Sequence, residues 1–232
     1  MTYPGSIEQM EQRDVVITAG GTREPIDDVR FIGNFSGGAL GHALAQEFKS
    51  YGRDVLLLAP KNVTDRYGEI DDVEHQTFSS YADLDQQIKS IPSARIVLQA
   101  AAVADYSPVP ADGKISSDQD EMVIRMQKNP KILASLREHF GRHAFIVGFK
   151  LLSGVSTQEL LEVGRRQITT NYTDMSVAND LQHIRSKRTV HSISKFPLSP
   201  IKIHGTTKEV ARHLASHIIL ISDAKRAEQH HV

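Results

Sequence analysis

The residues with chemistry in them begin early in the chain. Gly20-Gly21-Thr22 follows the apolar run Val15-Val16-Ile17, and Ser36-Gly37-Gly38, with Gly41 beyond, opens an apolar-periodic segment. Glycines let main-chain N–H groups approach a phosphate, and a helix N-terminus favours its negative charge. A strand, a glycine turn and a helix start in this order make an anion cradle, and two such turns near one strand end suit a triphosphate. The spacing is neither the dinucleotide G-x-G-x-x-G nor the P-loop G-x-x-x-x-G-K-[ST], so a tight turn without a ligand is the competing reading. Asn34 stands just before the second turn. It reads either as an N-cap or turn residue or as a side-chain amide that steadies an acyl intermediate. Asp105 ends the small-residue run Ala100-Ala101-Ala102-Val103-Ala104, where a ligand can lie close to the backbone; it reads as a ligand acceptor or as a cap. Lys114, in Asp112-Gly113-Lys114-Ile115-Ser116-Ser117, reads as a solvated charge or as a cation that closes over phosphates from an arm.

Composition narrows the chemistry further. Formal net charge is −1 over 232 residues, which gives no signal for nucleic acid or for an anionic membrane. There is no cysteine, so disulfides, thiolate metal sites and a cysteine nucleophile are excluded, in keeping with a cytoplasmic protein. The eleven histidines show no H-E-x-x-H spacing, and no protein-ligated metal is expected. No G-x-S-x-G elbow is present either. Chemistry therefore falls to phosphate binding and charge stabilisation.

These residues need elements to position them. Apolar throughout, Asp14 to Ala19, Asp54 to Ala59, Arg95 to Ala100, Phe145 to Phe149 and Asp174 to Ala178 read as buried strands. Between them, Gly38 to Tyr51, Tyr81 to Ile91, Asn129-Pro130 to about Phe140 and Thr157 to about Ile168 read as helices. Strands of this kind alternating with helices predict an α/β, Rossmann-like three-layer fold with a mostly parallel sheet covered on both faces. Arg188 to Ser194 and Pro200 to His204 predict a small antiparallel extension, and Val210, Leu214, Ile218 and Ile221 the stripe of a final helix. Residues 1–13 read as a flexible leader and 14–232 as a single domain. Within it, about 107–127 reads as a protruding arm, with a strand at Met122 to Met126.

Seven segments in order carry a resemblance. They are Thr18-Ala19-Gly20-Gly21-Thr22-Arg23-Glu24-Pro25, Asn34-Phe35-Ser36-Gly37-Gly38, Ala101-Ala102-Val103-Ala104-Asp105-Tyr106, Lys114-Ile115-Ser116-Ser117, Asn129-Pro130-Lys131-Ile132-Leu133, Val147-Gly148-Phe149-Lys150-Leu151-Leu152 and Val177-Ala178-Asn179-Asp180. Over Asp14 to Leu181 the chain resembles the phosphopantothenate–cysteine ligases of coenzyme A biosynthesis. The Lys-Ile-Ser-Ser and Gly-Phe-Lys-Leu-Leu versions resemble the stand-alone bacterial form, without the flavin decarboxylase domain to which such ligases are often fused.

The resemblance implies a carbon–nitrogen ligase that activates the carboxylate of 4′-phosphopantothenate with CTP or ATP and Mg²⁺. The resulting acyl-nucleotidylate then meets the amine of L-cysteine. By motif match, Gly20, Gly21, Thr22, Ser36, Gly38 and Gly41 would cradle the nucleotide's phosphates, and Ala101, Asp105, Phe149 and Asn179 would line the pocket. Asn34, with Ala101, Ala102 and Asp105, would hold the substrate and its acyl intermediate, and Lys114 would act in nucleotide binding and activation. A homodimer joined partly through the arm is implied as well. Some members carry Lys-x-Lys-Lys where this chain has Lys114-Ile115-Ser116-Ser117, and lysines where Gln167 and Asn171 align; Arg165 or Arg166 would compensate if the register shifts. The choice between CTP and ATP stays open. Two other readings share the early strand–glycine–helix pattern: a Rossmann-type NAD(P)-dependent oxidoreductase and a non-catalytic nucleotide- or flavin-binding module. Against the first stands Leu58-Ala59-Pro60, where an acidic residue would end the second strand.

Overall fold

The structure is a computed structural model that describes residues 13–111, 113–118, 120–184, 187–195 and 200–229. Residues 1–12, most of the expected leader, lie outside these, as do Asp112 and Gln119 of the expected arm. Arg13 opens the first strand rather than closing a leader.

In chain order, β1 (Arg13–Thr18) is followed by the short hairpin of β2 (Arg23–Pro25) and β3 (Phe31–Gly33). Next come α1 (Ala39–Ser50), β4 (Val55–Leu58), α2 (Lys61–Tyr67), β5 (Glu74–Gln76), α3 (Tyr81–Ser90) and β6 (Ala94–Gln99). The arm leaves through β7 (Tyr106–Pro108) and returns through β8 (Met126–Lys128). Then come α4 (Ile132–Phe140), β9 (Phe145–Leu152), α5 (Thr157–Asn171), β10 (Met175–Asp180), a single 3₁₀ turn (Leu181–His183), β11 (Arg188–Ser194), β12 (Ile201–Gly205) and α6 (Thr207–Gln229).

Eight of these strands form one sheet in the order β12-β11-β10-β9-β6-β1-β4-β5. The six from β5 to β10 are parallel, and β11 and β12 extend the sheet antiparallel. Counting only the parallel strands, the order is that of a dinucleotide-binding Rossmann sheet. The strand order turns back between β1 and β6, and sheets of this kind bind ligands near such a switch point, outside the strands' carboxyl ends. Alternation along β1 explains the layers. Val15 and Ile17 pack with Leu44, Phe48, Leu214 and Ile218 under α1 and α6, while Val16 packs with Leu84, Ile88, Leu136 and Ile146 under α3 and α4. The predicted α6 stripe of Val210, Leu214, Ile218 and Ile221 is buried as expected. No helix among the described residues is long and apolar enough to cross a membrane.

Two expectations are corrected. The arm's return strand is Met126–Lys128, not Met122 to Met126, because Pro108 pairs with Met126 and Tyr106 with Lys128. Helix α4 begins at Ile132, not at Asn129-Pro130. The Asn129 backbone N–H donates to Asp105 O and its side chain to Ala104 O, each at 2.9 Å, which holds the chain extended up to Lys131.

Candidate functional site

The glycine bends are where the sequence puts them, and they touch. Gly20 and Gly38 have φ of +80° and +73°, a region open to glycine and strained for other residues. A Cβ on Gly38 would lie 3.1 Å from Gly20 N. It would also lie 2.6 Å from Val63 Cγ2, and a Cβ on Gly20 would lie 2.7 Å from the Pro60 ring. Gly41 lets α1 press onto β1: its Cβ would meet that of Ala19 at 2.6 Å. Protein packing thus accounts for glycine at all three positions. Pro60 and Val63 also fill the space beside the first bend, where a dinucleotide's ribose would need an acidic partner.

The bend after β1 is zipped to the loop after β6. Gly21 bridges Ala102, Ala102 N donates to Gly20 O at 2.8 Å, and Thr22 N donates to Ala102 O at 3.3 Å. Buried hydroxyls complete the seam: Thr18 Oγ1 accepts from Ala101 N and Thr22 Oγ1 from Ala104 N, both at 3.0 Å. Beneath it, the buried Glu24 carboxylate accepts from Ser107 Oγ (2.7 Å) and Tyr81 N (2.9 Å). Most polar motif residues here are therefore braces that fix the loop 101–105.

That loop walls a cavity of about 680 Å³ at the carboxyl ends of β6 and β9. The opposite walls are the first turn of α4, the end of β9, and one face of α5 carrying Val163, Arg166, Gln167 and Thr170. Lys131, Lys150 and Arg166 line it, against the single carboxylate of Asp105. Helix α4 starts there with no side-chain cap, so its positive end adjoins the space. One wall is electropositive, another an apolar one of Ile132, Leu133 and Phe149. The end of β10 is fixed by Asp180, whose carboxyl accepts from Val155 N (2.9 Å) and Gln182 N (2.8 Å). Those two N–H groups, Val155 first, hold its pKa below the ordinary carboxylate value.

Of the predicted site residues, the cavity brings together Asn34, Ala101, Ala102, Asp105 and Phe149. Asn34 is not an N-cap, since Gly38 holds that place, and its amide makes only long contacts to Ala102 O (3.5 Å) and Val103 O (3.4 Å). Asp105 precedes strand β7 rather than a helix, so it caps nothing. Gly20, Gly21, Thr22, Ser36, Gly38 and Gly41 form the neighbouring bends and do not line the cavity. Asn179 is buried on β10, also outside the lining. Lys114 is exposed on the arm and does not line it either. Its neighbour Ile115 is pinned: Ile115 N donates to Asp27 (3.1 Å), and Ile115 O accepts from Arg30 (2.8 Å). The Arg30 guanidinium, helped by backbone N–H donors, holds the Asp27 carboxyl well below the usual carboxylate range.

Gln99, Lys131 and Lys150 also line the cavity, with no role for them evident from the sequence. Lys131 and Lys150 stand inside quoted motifs. Arg166, Gln167 and Thr170 were accessible through helical spacing, since positions 163, 166, 167 and 170 share one face of α5. Among the described residues no group of three or more His, Cys, Asp or Glu is placed to hold a metal ion. A magnesium ion here would have Asp105 as the lining carboxylate and would otherwise rely on oxygens of a bound phosphate.

The family profile for the DNA/pantothenate metabolism flavoprotein C-terminal domain matches residues 10–220. The chain is 34% identical over 182 residues to the coenzyme A biosynthesis bifunctional protein CoaBC of Thermococcus kodakarensis, covering 78% of this chain and 44% of that protein. It thus spans less than half the length of that relative. Among solved structures, the DNA/pantothenate metabolism flavoprotein of Streptococcus pneumoniae superposes with a TM-score of 0.81 at 25% identity, over 90% of this chain and 99% of that one. The C-terminal domain of a CoaBC protein superposes with a TM-score of 0.68 at 26% identity, over 92% and 98%.

Proposed function

Because the chain belongs to the family of DNA/pantothenate metabolism flavoprotein C-terminal domains, we propose that it is a phosphopantothenate–cysteine ligase of coenzyme A biosynthesis. One observation carries the reading: a single cavity joins an amide (Asn34), a carboxylate (Asp105), three cations and a bare helix N-terminus. That is the equipment for handling a polyphosphate beside a carboxylic acid.

In the first half-reaction the carboxylate of 4′-phosphopantothenate attacks the α-phosphorus of CTP or ATP, and pyrophosphate leaves. Charge accumulates on the departing group, where Lys131, Lys150 and Arg166 and the N-terminus of α4 stabilise it. Magnesium bound with the nucleotide supplies further neutralisation of that charge. Arg166 and Lys131 supply the positive charge that Gln167 and Asn171 lack. In the second half-reaction the amine of cysteine attacks the acyl carbon, and the nucleoside monophosphate leaves with the bonding electrons. Asn34 Nδ2, only loosely engaged by the protein, is placed in this scheme as the donor to the acyl oxygen. The bends at Gly20–Thr22 and Ser36–Gly38 take a phosphate, and Gly41 lets α1 approach them. Asn179 supports the pocket from β10. Lys114 reaches the nucleotide when the arm closes, which also excludes water from the acyl intermediate. A homodimer fits the apolar surface left open on the arm and hairpin, where Val123 is 84% and Phe31 54% exposed.

The test is incubation with phosphopantothenate, cysteine, Mg²⁺ and CTP or ATP in turn, with mass spectrometry for the amide and the nucleoside monophosphate. Absence of both products with both nucleotides refutes the assignment.

A further inference from the structure

Gln99 is the last residue of β6, between Thr18 on β1 and Gly148 on β9 in register. It follows Val97 on the face of the strand that packs under α4. It is 6% exposed and lines the cavity. Both polar atoms of its side chain, Oε1 and Nε2, are buried without a hydrogen-bond partner among the described residues. Burying an amide that is satisfied at neither end is strongly unfavourable, so such a group in a native site points to a missing partner.

No described neighbour stands in hydrogen-bond contact with either atom. Thr18 Oγ1 accepts from Ala101 N. Gln167 Oε1 accepts from Ser176 Oγ at 2.6 Å, and Gln167 Nε2 donates to Phe149 O at 3.2 Å. The cavity is also graded. Lys131 and Arg166 are exposed, whereas Gln99 is buried beside the apolar Ile132 and Leu133. A ligand that matches this gradient has an anionic end at the mouth and a flat, neutral end with adjacent donor and acceptor at the floor.

We propose that Gln99 is the residue that grips the nucleobase, accepting from the exocyclic amino group through Oε1 and donating to the adjacent ring nitrogen through Nε2. Cytosine and adenine share that edge (N4 with N3, N6 with N1). The inference rests on the ligase reading, which brings a nucleoside triphosphate to this cavity. It assigns Gln99 a two-point contact at the base, away from the reacting phosphorus.

The experiment is a cycle between side chain and ligand. Wild type and Gln99→Leu are titrated calorimetrically with CTP and 3-deaza-CTP, and with ATP and 1-deaza-ATP, and the KM of each substrate is measured. The expected result is a nucleotide affinity lower by on the order of tenfold in Gln99→Leu, with the KM values for phosphopantothenate and cysteine unchanged. The deaza analogue should weaken binding to wild type and make no further difference to Gln99→Leu. Gln99→Met replaces the leucine variant should the latter fail to fold. Unchanged nucleotide affinity in a folded variant, or an equal deaza effect in both proteins, overturns the inference and leaves a buried water as the partner. A rise confined to the phosphopantothenate KM also overturns it, since the amide then reads the other substrate. Wild type that turns over while the cycle shows no coupling sinks Gln99 alone; wild type that neither binds nor uses CTP or ATP sinks the ligase reading with it.

Discussion

Replacing Thr22 with valine isolates the seam that shapes the cavity. Thr22 is 1% exposed, and its Oγ1 accepts from the backbone N–H of Ala104, itself buried, at 3.0 Å. Valine has the same shape and no acceptor. The stranded N–H costs about 1–3 kcal/mol. The methyl that replaces the hydroxyl returns up to ~0.8 kcal/mol through apolar burial. With that penalty at its middle value of ~2 kcal/mol the net loss is roughly 1–2 kcal/mol, and at ~2–4 °C per kcal/mol for a protein of this size the midpoint should fall by roughly 2–8 °C. Urea titration and calorimetry read that directly. The functional readout is separate. Ala104 joins Asp105 to the rest of the loop, so its release loosens one wall of the cavity and raises KM for the ligands it contacts. Thr22→Ser keeps the acceptor and should keep the wild-type KM, although it loses a buried methyl. Thr22→Val within ~0.5 kcal/mol of wild type, the range of a bland surface change, and with unaltered KM would falsify the view that this hydroxyl braces the site.

Gly41→Ala gains ~1 kcal/mol of helix propensity but drives a Cβ to 2.6 Å from Ala19 Cβ and 3.2 Å from Ala19 Cα, a backbone atom that cannot swing away. Overpacking costs ~1–3 kcal/mol, so the variant should be less stable in urea, and a more stable one would refute the close-approach argument. Asp174 accepts from Arg137 Nη2 (2.6 Å), Lys225 Nζ (2.8 Å) and Ile146 N (2.8 Å), tying α4, α6 and the starts of β9 and β10 at the end of the sheet remote from the cavity. Asp174→Asn leaves two part-buried cations uncompensated and should cost ~3–5 kcal/mol; a loss under ~1 kcal/mol contradicts that account. Asp27, with its pKa depressed by Arg30, contributes stability present in full above the ordinary value of 3.8 and lost as pH falls through the lower folded value. Wild type should therefore exceed Asp27→Asn by a constant margin above about pH 4–5 that shrinks below it, and the variant's arm should be cut faster by protease; a pH-independent margin would be the wrong answer. Lys114→Gln should abolish most turnover with an unchanged circular dichroism spectrum, and a wild-type rate would remove Lys114 from the mechanism.

The sheet was legible because buried parallel strands are apolar on both faces, and each such run sits next to a helix with a clear stripe. What escaped were elements whose reason is tertiary. Glu74-His75-Gln76 is an edge strand with no apolar period, and it exists because β4 offers it a ladder. The hairpin of β2 and β3 is equally short, and its residues gain their place from Glu24 reaching Ser107 and Tyr81, far along the chain. In the arm, Met122 and Val123 look like strand residues yet are exposed, and the pairing of β7 with β8 starts later.

The site divides in the same way. Glycine spacing located two adjoining bends correctly, but it cannot say whether a glycine yields to a phosphate or to a neighbouring side chain. Here Pro60 and Val63 press on Gly20 and Gly38, and Val63 belongs to α2, a helix that the periodicity gave no reason to draw. Of the cations that make the cavity electropositive, Arg166 could be read from helical spacing, whereas Lys131 lay hidden for another reason. It precedes a helix that starts later than Pro130 suggests, so its place beside the uncapped end of α4 appears only when that boundary is right. Gln99 is the sharpest case. A glutamine ending an apolar strand looks like ordinary polar punctuation; it becomes informative only once the fold leaves both ends of its amide without a partner among the described residues. The polar motif residues around the glycine bends thus brace the walls, and a group left unpaired inside those walls carries information about what enters.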